Sequence, residues 1–163
     1  MESPYEERDV KRIERSALVM HPADKMYELV NSVEYYPQFL PWCADSTVIE
    51  RSETTQEARL MIKRAAVSTS FVTKNTMIPS ERIEMTLKEG PFRSLNGCWT
   101  FQALTEGACK VTLNIQFEID NPLLKSTLGK VFEQIATTMV DAFCNRADQL
   151  NKLKAQNTGT EEP

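Results

Sequence analysis

The stretch DNPLLKSTLGKVFEQIATTMVDAFCNRADQLNKLK, residues 120–154, decides the architecture. Asp120 and Asn121 are residues that favour the cap position before a helix, and Pro122 lacks the N–H that a first helical turn leaves unused. Leu124, Leu128, Phe132, Ile135, Met139, Phe143, Ala147 and Leu150 then recur at steps of three and four, and Val131, Ala136, Val140, Ala142 and Leu153 broaden the stripe. This predicts a helix from Asp120 to about Lys154, roughly 30 residues and so about 45 Å long. A helix of that length with a wide apolar face has to lie across a broad apolar surface.

The preceding residues predict that surface. Val10 to Met20 carries Ile13, Ala17 and Val19 on one parity, a half-buried strand interrupted only by Leu18. His21-Pro22 ends it, and Met26, Leu29, Val30 and Val33 mark a short amphipathic helix over 23–33. From 47 to 119 the pattern has period two: Thr47–Arg51, the run holding Ala58, Leu60 and Ile62, Val67–Met77, and the runs of Ile83, of Leu95 and of Val111. Pro79-Ser80, Glu89-Gly90-Pro91 and Glu106-Gly107 are the turns between them. The order is strand, short helix, a meander of strands, long helix. It predicts an α+β protein in which a curved antiparallel sheet of about seven strands closes around the C-terminal helix. The domain is expected at 11–154, after an acidic leader at 1–10 and before a disordered polar tail at 155–163.

Composition excludes several classes. The chain has 163 residues, 41 % apolar and 26 % charged, sufficient for one domain with a real core. No apolar run approaches a membrane span of ~20 residues, and the first ten residues lack the apolar centre of a secretory signal. Four cysteines without a C-x-x-C pair and a single histidine argue against a zinc site or a disulfide framework and favour the reducing cytoplasm. The net charge of −4 sits in the ends: Glu2, Glu6, Glu7 and Asp9 against Arg8 make the leader −3, and Glu161 with Glu162 makes the tail −2, leaving the body at +1. Such a body has no general signature of nucleic-acid binding, although local basic patches remain open.

Three ordered motifs carry a family likeness over roughly residues 11–153. Val33-Glu34-Tyr35-Tyr36-Pro37-Gln38-Phe39-Leu40-Pro41-Trp42-Cys43 resembles the V-x-x-Y-P-x-F-L-P-x-C signature of the START-like coenzyme Q-binding family. Gly90-Pro91-Phe92-Arg93-Ser94-Leu95-Asn96-Gly97-Cys98-Trp99-Thr100-Phe101 resembles its G-P-F-x-x-L-x-G-x-W-x-F strand, and Val131-Phe132, Met139–Phe143 and Arg146-Ala147 resemble its last helix. The bacterial branch, with the ribosome association toxins of the RatA type, looks nearest. The resemblance implies the helix-grip fold and two functions. One is non-enzymatic binding of ubiquinone or a related isoprenoid lipid in support of respiration. The other is binding to the large ribosomal subunit so that the subunits fail to associate, with a small antitoxin protein as a further implied partner.

For the lipid reading, the site falls between the concave sheet face and the helix. Phe71, Met85, Trp99, Phe101, Leu113 and Phe117 are the candidates from the sheet, and Leu128, Phe132, Ile135 and Met139 those from the helix. The same side chains at the same spacing also make an ordinary core. Phe39 and Trp42 belong to the proline-stiffened segment 35–43, which either forms the mouth of the cleft, in transient contact with the inner membrane surface, or plugs one end of the sheet. Gly97 marks a bend or close approach in its strand, and Gly129 either close packing of the helix or a local bend. For the ribosomal reading, Arg59, Lys63 and Arg64 form a basic hairpin, with Lys74, Lys125 and Lys130 elsewhere. His21 has no partner at motif spacing, and Glu14, Glu57 and Glu118 sit mid-strand at positions expected to face solvent, so catalysis is not indicated. No cofactor is required by either reading; bound ubiquinone or a similar lipid is the expected ligand of the first.

Overall fold

The computed structural model describes residues 10–161, with side chains to residue 156. Seven strands, β1 (Lys11–Val19), β2 (Cys43–Arg51), β3 (Thr55–Arg64), β4 (Val67–Ile78), β5 (Arg82–Glu89), β6 (Ser94–Thr105) and β7 (Ala108–Glu118), form one sheet of order β1-β7-β6-β5-β4-β3-β2. Every neighbouring pair is antiparallel. The meander is thus β2 to β7, and β1 returns to the far edge beside β7, Lys11 opposite Phe117 and Val19 opposite Cys109. Helix α1 (Ala23–Asn31) and a 3-10 turn (Val33–Gln38) link β1 to β2. Leu18 does not break the alternation of β1: it is exposed on the outer face, while its neighbour Val19 is buried.

The sheet curls. Phe132 of the last helix lies 6.0 Å from the Phe71 ring on β4 and 4.8 Å from the Phe117 ring on β7. In a flat sheet those strands would stand about 14 Å apart, so both edges of this span bend toward the helix. Shifts of register at Cys43/Asp45, Val48/Glu50, Val72/Thr73 and Ala103/Thr105 supply part of the bend, since each bulge adds local twist. Phe92, between β5 and β6, completes the aromatic cluster at 4.9 Å from Phe132 and 5.8 Å from Phe71. Phe143, three turns further along the helix, meets Trp99 at 5.3 Å and Tyr36 at 5.3 Å.

The last helix starts where the sequence places it. Asn121 caps it, its Oδ1 accepting from the backbone N–H of Leu123 at 2.9 Å and of Leu124 at 3.3 Å. Asp120 takes another role and pairs with Arg93 at 3.2 Å. The first turn, α2 (Pro122–Leu124), passes into a widened π turn, Lys125–Gly129, and then into α3 (Lys130–Glu161). A Cβ on Gly129 would meet nothing nearer than Ile119 at 3.7 Å, so close packing does not explain this glycine; it ends the irregular turn. Helix α3 also runs on through Glu161, past Lys154 where the apolar stripe predicts its end. Adding a residue to a formed helix gains one hydrogen bond without a new nucleus, so the helix outlasts its apolar stripe. The leader expected at 1–10 lies, apart from Val10, outside the described residues, as do 162–163.

His21 is not isolated. It is buried at the β1–α1 junction, and its Nε2 stands 2.7 Å from Oδ1 of Asp148 on α3, fixing the helix near the first strand. Glu118 is likewise not solvent-facing: it is 5 % exposed at the end of β7, with Arg93 Nε at 3.8 Å. Alternation fails there because the end of β7 is covered by the loop that carries Arg93, whose backbone N–H donates to the carbonyl of Glu118 at 2.8 Å.

Gly90 makes the loop possible. Its φ of +149° lies outside the range L residues favour, and a Cβ would stand 2.7 Å from Cβ of Phe71. Replacement by alanine is expected to push the Phe92 loop off the helix and lower stability by about 1–3 kcal/mol, seen as a lower urea midpoint. An unchanged midpoint would show that the loop does not depend on this close approach.

Candidate ligand cleft and basic face

Between the concave face and α3 the packing is incomplete. A cavity of about 60 Å³ is bordered by Val33, Tyr36 and Trp42 at one end, by Ala58, Leu60, Phe71, Thr73, Asn75, Met85, Leu95, Gly97, Trp99 and Ile115 on the sheet, and by Phe132, Ile135, Ala136 and Met139 on α3. It is well below the ~300–1,000 Å³ typical of drug-sized sites. An isoprenoid lipid would therefore need α3 or the 35–43 segment to move outward. Gly97 helps define the space. A Cβ there would lie 2.9 Å from Cε of Met85 and 3.1 Å from the carbonyl oxygen of Asn114. Met85, unbranched and adaptable, fills part of the volume that a larger ligand would claim.

The sequence-derived positions divide. Trp42, Phe71, Met85, Trp99, Phe132, Ile135 and Met139 border the cavity. Phe101, Leu113, Phe117, Leu128 and Phe39 do not, and are packing residues behind it. Phe101 stacks on Trp99 at 6.3 Å and meets Tyr27 of α1 edge-on at 5.7 Å, and Leu113 and Leu128 are almost wholly buried. Phe117 belongs to the Phe92–Phe132 cluster. Phe39 rests on Phe143 at 5.3 Å with the Arg146 guanidinium over its ring at 5.2 Å. Segment 35–43 is thus a plug: Tyr36, Leu40 and Trp42 are buried, and Tyr35 alone among its aromatics is well exposed. Alternation of hydrophobic residues could not separate cavity wall from packing, because both face inward.

The lining residues that sequence reasoning missed are the small and polar ones. Ala58 and Ala136 leave the space that larger neighbours would fill, and a stripe of apolar residues treats them as filler. Thr73 and Asn75 are buried on the inward parity of β4, and Asn75 Oδ1 has no hydrogen-bond partner among the described residues. Their signal was present: polar residues at inward positions of an otherwise apolar alternation. Tyr36 donates its hydroxyl hydrogen to the carbonyl of Val30, one of the acceptors that the end of α1 leaves free, and burial raises its pKa far above the usual phenol range.

Chemistry on the substrate finds little support in these groups. Burial pushes the Cys43 thiol up to about 11. Burial, with Asp141 and Asp148 nearby, does the same for Cys144. Cys98 and Cys109 are also raised by burial, so no described cysteine is lowered toward the nucleophilic thiolate. Glu57 is held by Lys88 at 2.6 Å. Among the described residues no cluster of His, Cys, Asp and Glu is arranged to hold a metal ion, and no helix is long and apolar enough to cross a membrane.

The basic residues lie on the opposite side. Arg59 and Lys63 are exposed on β3 with the parity opposite to buried Ala58 and Ile62, which places them on the convex face; Arg64 stands at the β3–β4 tip beside Ala65, whose φ is 54°. None of the three forms an ion pair among the described residues, whereas Arg51, Arg82, Lys88 and Arg93 do. Across from Lys63 and from Met61 between the two basic residues are Ser68 and Ser70, so β4 sets no carboxylate against them, although Asp45 on β2 faces Met61. Lys125 and Lys130 belong to a separate region near Lys11 and Glu133.

A curved sheet gripping one long helix defines a START-like fold. The chain belongs to the polyketide cyclase / dehydrase and lipid transport family, whose model matches residues 19–144, in the branch that includes the RatA proteins. It is 51 % identical over 138 residues to "Ribosome association toxin RatA" of Pseudomonas aeruginosa, a match covering 85 % of this chain and 96 % of that one. It is 26 % identical over 134 residues to "Coenzyme Q-binding protein COQ10, mitochondrial" of Dictyostelium discoideum, covering 80 % of this chain and 65 % of that one. Among solved structures, the Zhui aromatase/cyclase from a Streptomyces species superposes with a TM-score of 0.75 at 18 % identity, over 86 % of this chain and 94 % of that one, a likeness of fold.

The thiols give a test of the packing. Cys144 is only partly buried, so reagent can reach it, yet a pKa near 11 leaves about 0.1 % thiolate at pH 8. Alkylation of Cys144 by iodoacetamide at pH 8, followed by mass spectrometry, is expected to be at least ~100-fold slower in the folded than in the urea-unfolded chain, and to accelerate as pH rises toward 11. Equal rates in the two states would show that this side of α3 is open.

Proposed function

We propose that this protein acts by associating with the ribosome, on the large subunit, so that subunit joining and translation initiation are impeded. The observation that carries this reading is the 51 % identity to a protein named for ribosome association, sustained over 96 % of that protein's length. Arg59, Lys63 and Arg64 support it as the contact: free cations on an exposed hairpin are suited to RNA phosphates, and such contacts weaken steeply with salt.

The test is sedimentation of the purified chain with isolated large subunits, small subunits and joined ribosomes at two salt concentrations. Co-sedimentation with the large subunit is expected, weaker at the higher salt. Replacement of Arg59, Lys63 and Arg64 together by glutamine is expected to reduce it at least ~10-fold and to flatten the salt dependence. Retention of full binding by the folded triple variant would remove this hairpin from the reading, and failure of the wild-type chain to sediment with any particle would remove the ribosome.

A second reading rests on the cleft. Its apolar lining, together with the likeness to a coenzyme Q-binding protein, supports binding of an isoprenoid lipid such as a quinone between β4–β6 and α3. Ala136 is fully buried on the helix side of the space, and Ala136→Leu adds enough side chain to occupy it. This variant is expected to keep the fold and to lose uptake of added lipid, read by native mass spectrometry after gentle purification. Undiminished uptake would place the lipid elsewhere.

A further inference from the structure

We infer that Asn75 is a hydrogen-bonding anchor for the ligand, and that the cleft therefore selects apolar molecules bearing a hydroxyl group. The inference deepens the cleft reading above and rests on it.

Asn75 lies in the second half of β4 on the same inward parity as Phe71 and Thr73, and is 5 % exposed. A buried amide oxygen without a partner is costly, and folded proteins leave few. The cross-strand neighbours do not relieve it. Gln56, opposite Asn75 on β3, is already engaged: its Oε1 accepts from Arg51 Nε at 2.6 Å and its Nε2 donates to the carbonyl of Asn31 at 3.2 Å. Met85, opposite on β5, has no donor to offer. The remaining wall near it is apolar, with Ala58 and Leu60 on β3. A leucine has nearly the shape of asparagine and would suit this wall better, so the polar group is explained by what enters the cavity and not by the fold.

The unmet atom is an acceptor, so the complementary group is a donor. Among apolar molecules that means an alcohol, a phenol or the reduced hydroquinone form of a quinone; an oxidised quinone, an ether or a hydrocarbon offers Oδ1 no proton. Thr73, two residues along the same face, lines the same space and can accept from or donate to the same hydroxyl. The apolar body would then lie along Trp99, Phe132 and Met139.

The test uses a matched pair of probes, 4-octylphenol and 4-octylanisole, which differ only in whether the oxygen carries a proton. Calorimetric titration of the full chain is expected to give at least ~10-fold tighter binding of the phenol, since a site built for a hydroxyl discriminates strongly against an analogue lacking it. In Asn75→Leu the advantage is expected to vanish while the anisole binds at least as well, and the unliganded variant is expected to melt higher than wild type. Equal affinities in the wild-type chain would overturn the anchor and leave the cleft reading standing, as would a phenol preference that survives in Asn75→Leu. If neither probe binds the folded wild-type chain, anchor and cleft reading fall together. Should Asn75→Leu not fold, Asn75→Thr, retaining a shorter polar group, is expected to give an intermediate preference; a preference equal to wild type would count against the assignment.

Discussion

The contact of Phe132 with strands on both sides of the sheet is the constraint on which this structure depends. One ring on α3 touches Phe71 from β4, Phe92 from the β5–β6 loop and Phe117 from β7. Those contacts need a sheet bent through several strands, and further along the helix Phe143 meets Trp99 of the same sheet at 5.3 Å. The cavity lies between these two aromatic clusters, where Ala58, Gly97 and Ala136 leave room. Tight packing at both ends and a void between them is the arrangement by which a small domain keeps a site without losing its core.

Most of this architecture was legible in residue spacing. The three-and-four periodicity of 124–153 and the period-two runs from 47 to 119 report burial on one face directly. The Asn121–Pro122 start was readable because capping is local chemistry. What spacing could not report was closure in depth. Phe101, Leu113 and Phe117 share the inward parity of Trp99, and only the sheet's curvature decides which of them meets a neighbour and which meets the void. A glutamate expected to face solvent shows the opposite limit: Glu118 keeps a strand-end position whose burial is decided by the loop that carries Arg93. His21 and Asp148 are separated by 127 residues, a pairing no motif spacing can announce. The helix beyond residue 154 was missed because its residues carry no apolar stripe, and continuation of a helix asks for none.

The two functional readings use opposite faces. The cleft opens toward α3, whereas Arg59 and Lys63 point outward from β3, whose inward residues Ala58 and Leu60 line the cavity. One strand therefore presents both surfaces. Leu60 lies on the cavity side of the same strand backbone that carries Arg59 and Lys63 on its outer side.

The pairing of β1 with β7 bears on how the chain comes into being. Residues 11–19 find their neighbour only once 109–117 exist, and the concave face waits longer still for α3. At ~5–20 residues per second, the 43 positions from Ile119 to Glu161 that complete the helix take about 2–9 s to add. During that interval the nascent meander exposes Phe71, Trp99 and Phe117 with nothing to cover them. The newborn chain is sticky at the very site where it is made, and the helix that gives the finished protein its shape is also what ends that exposure.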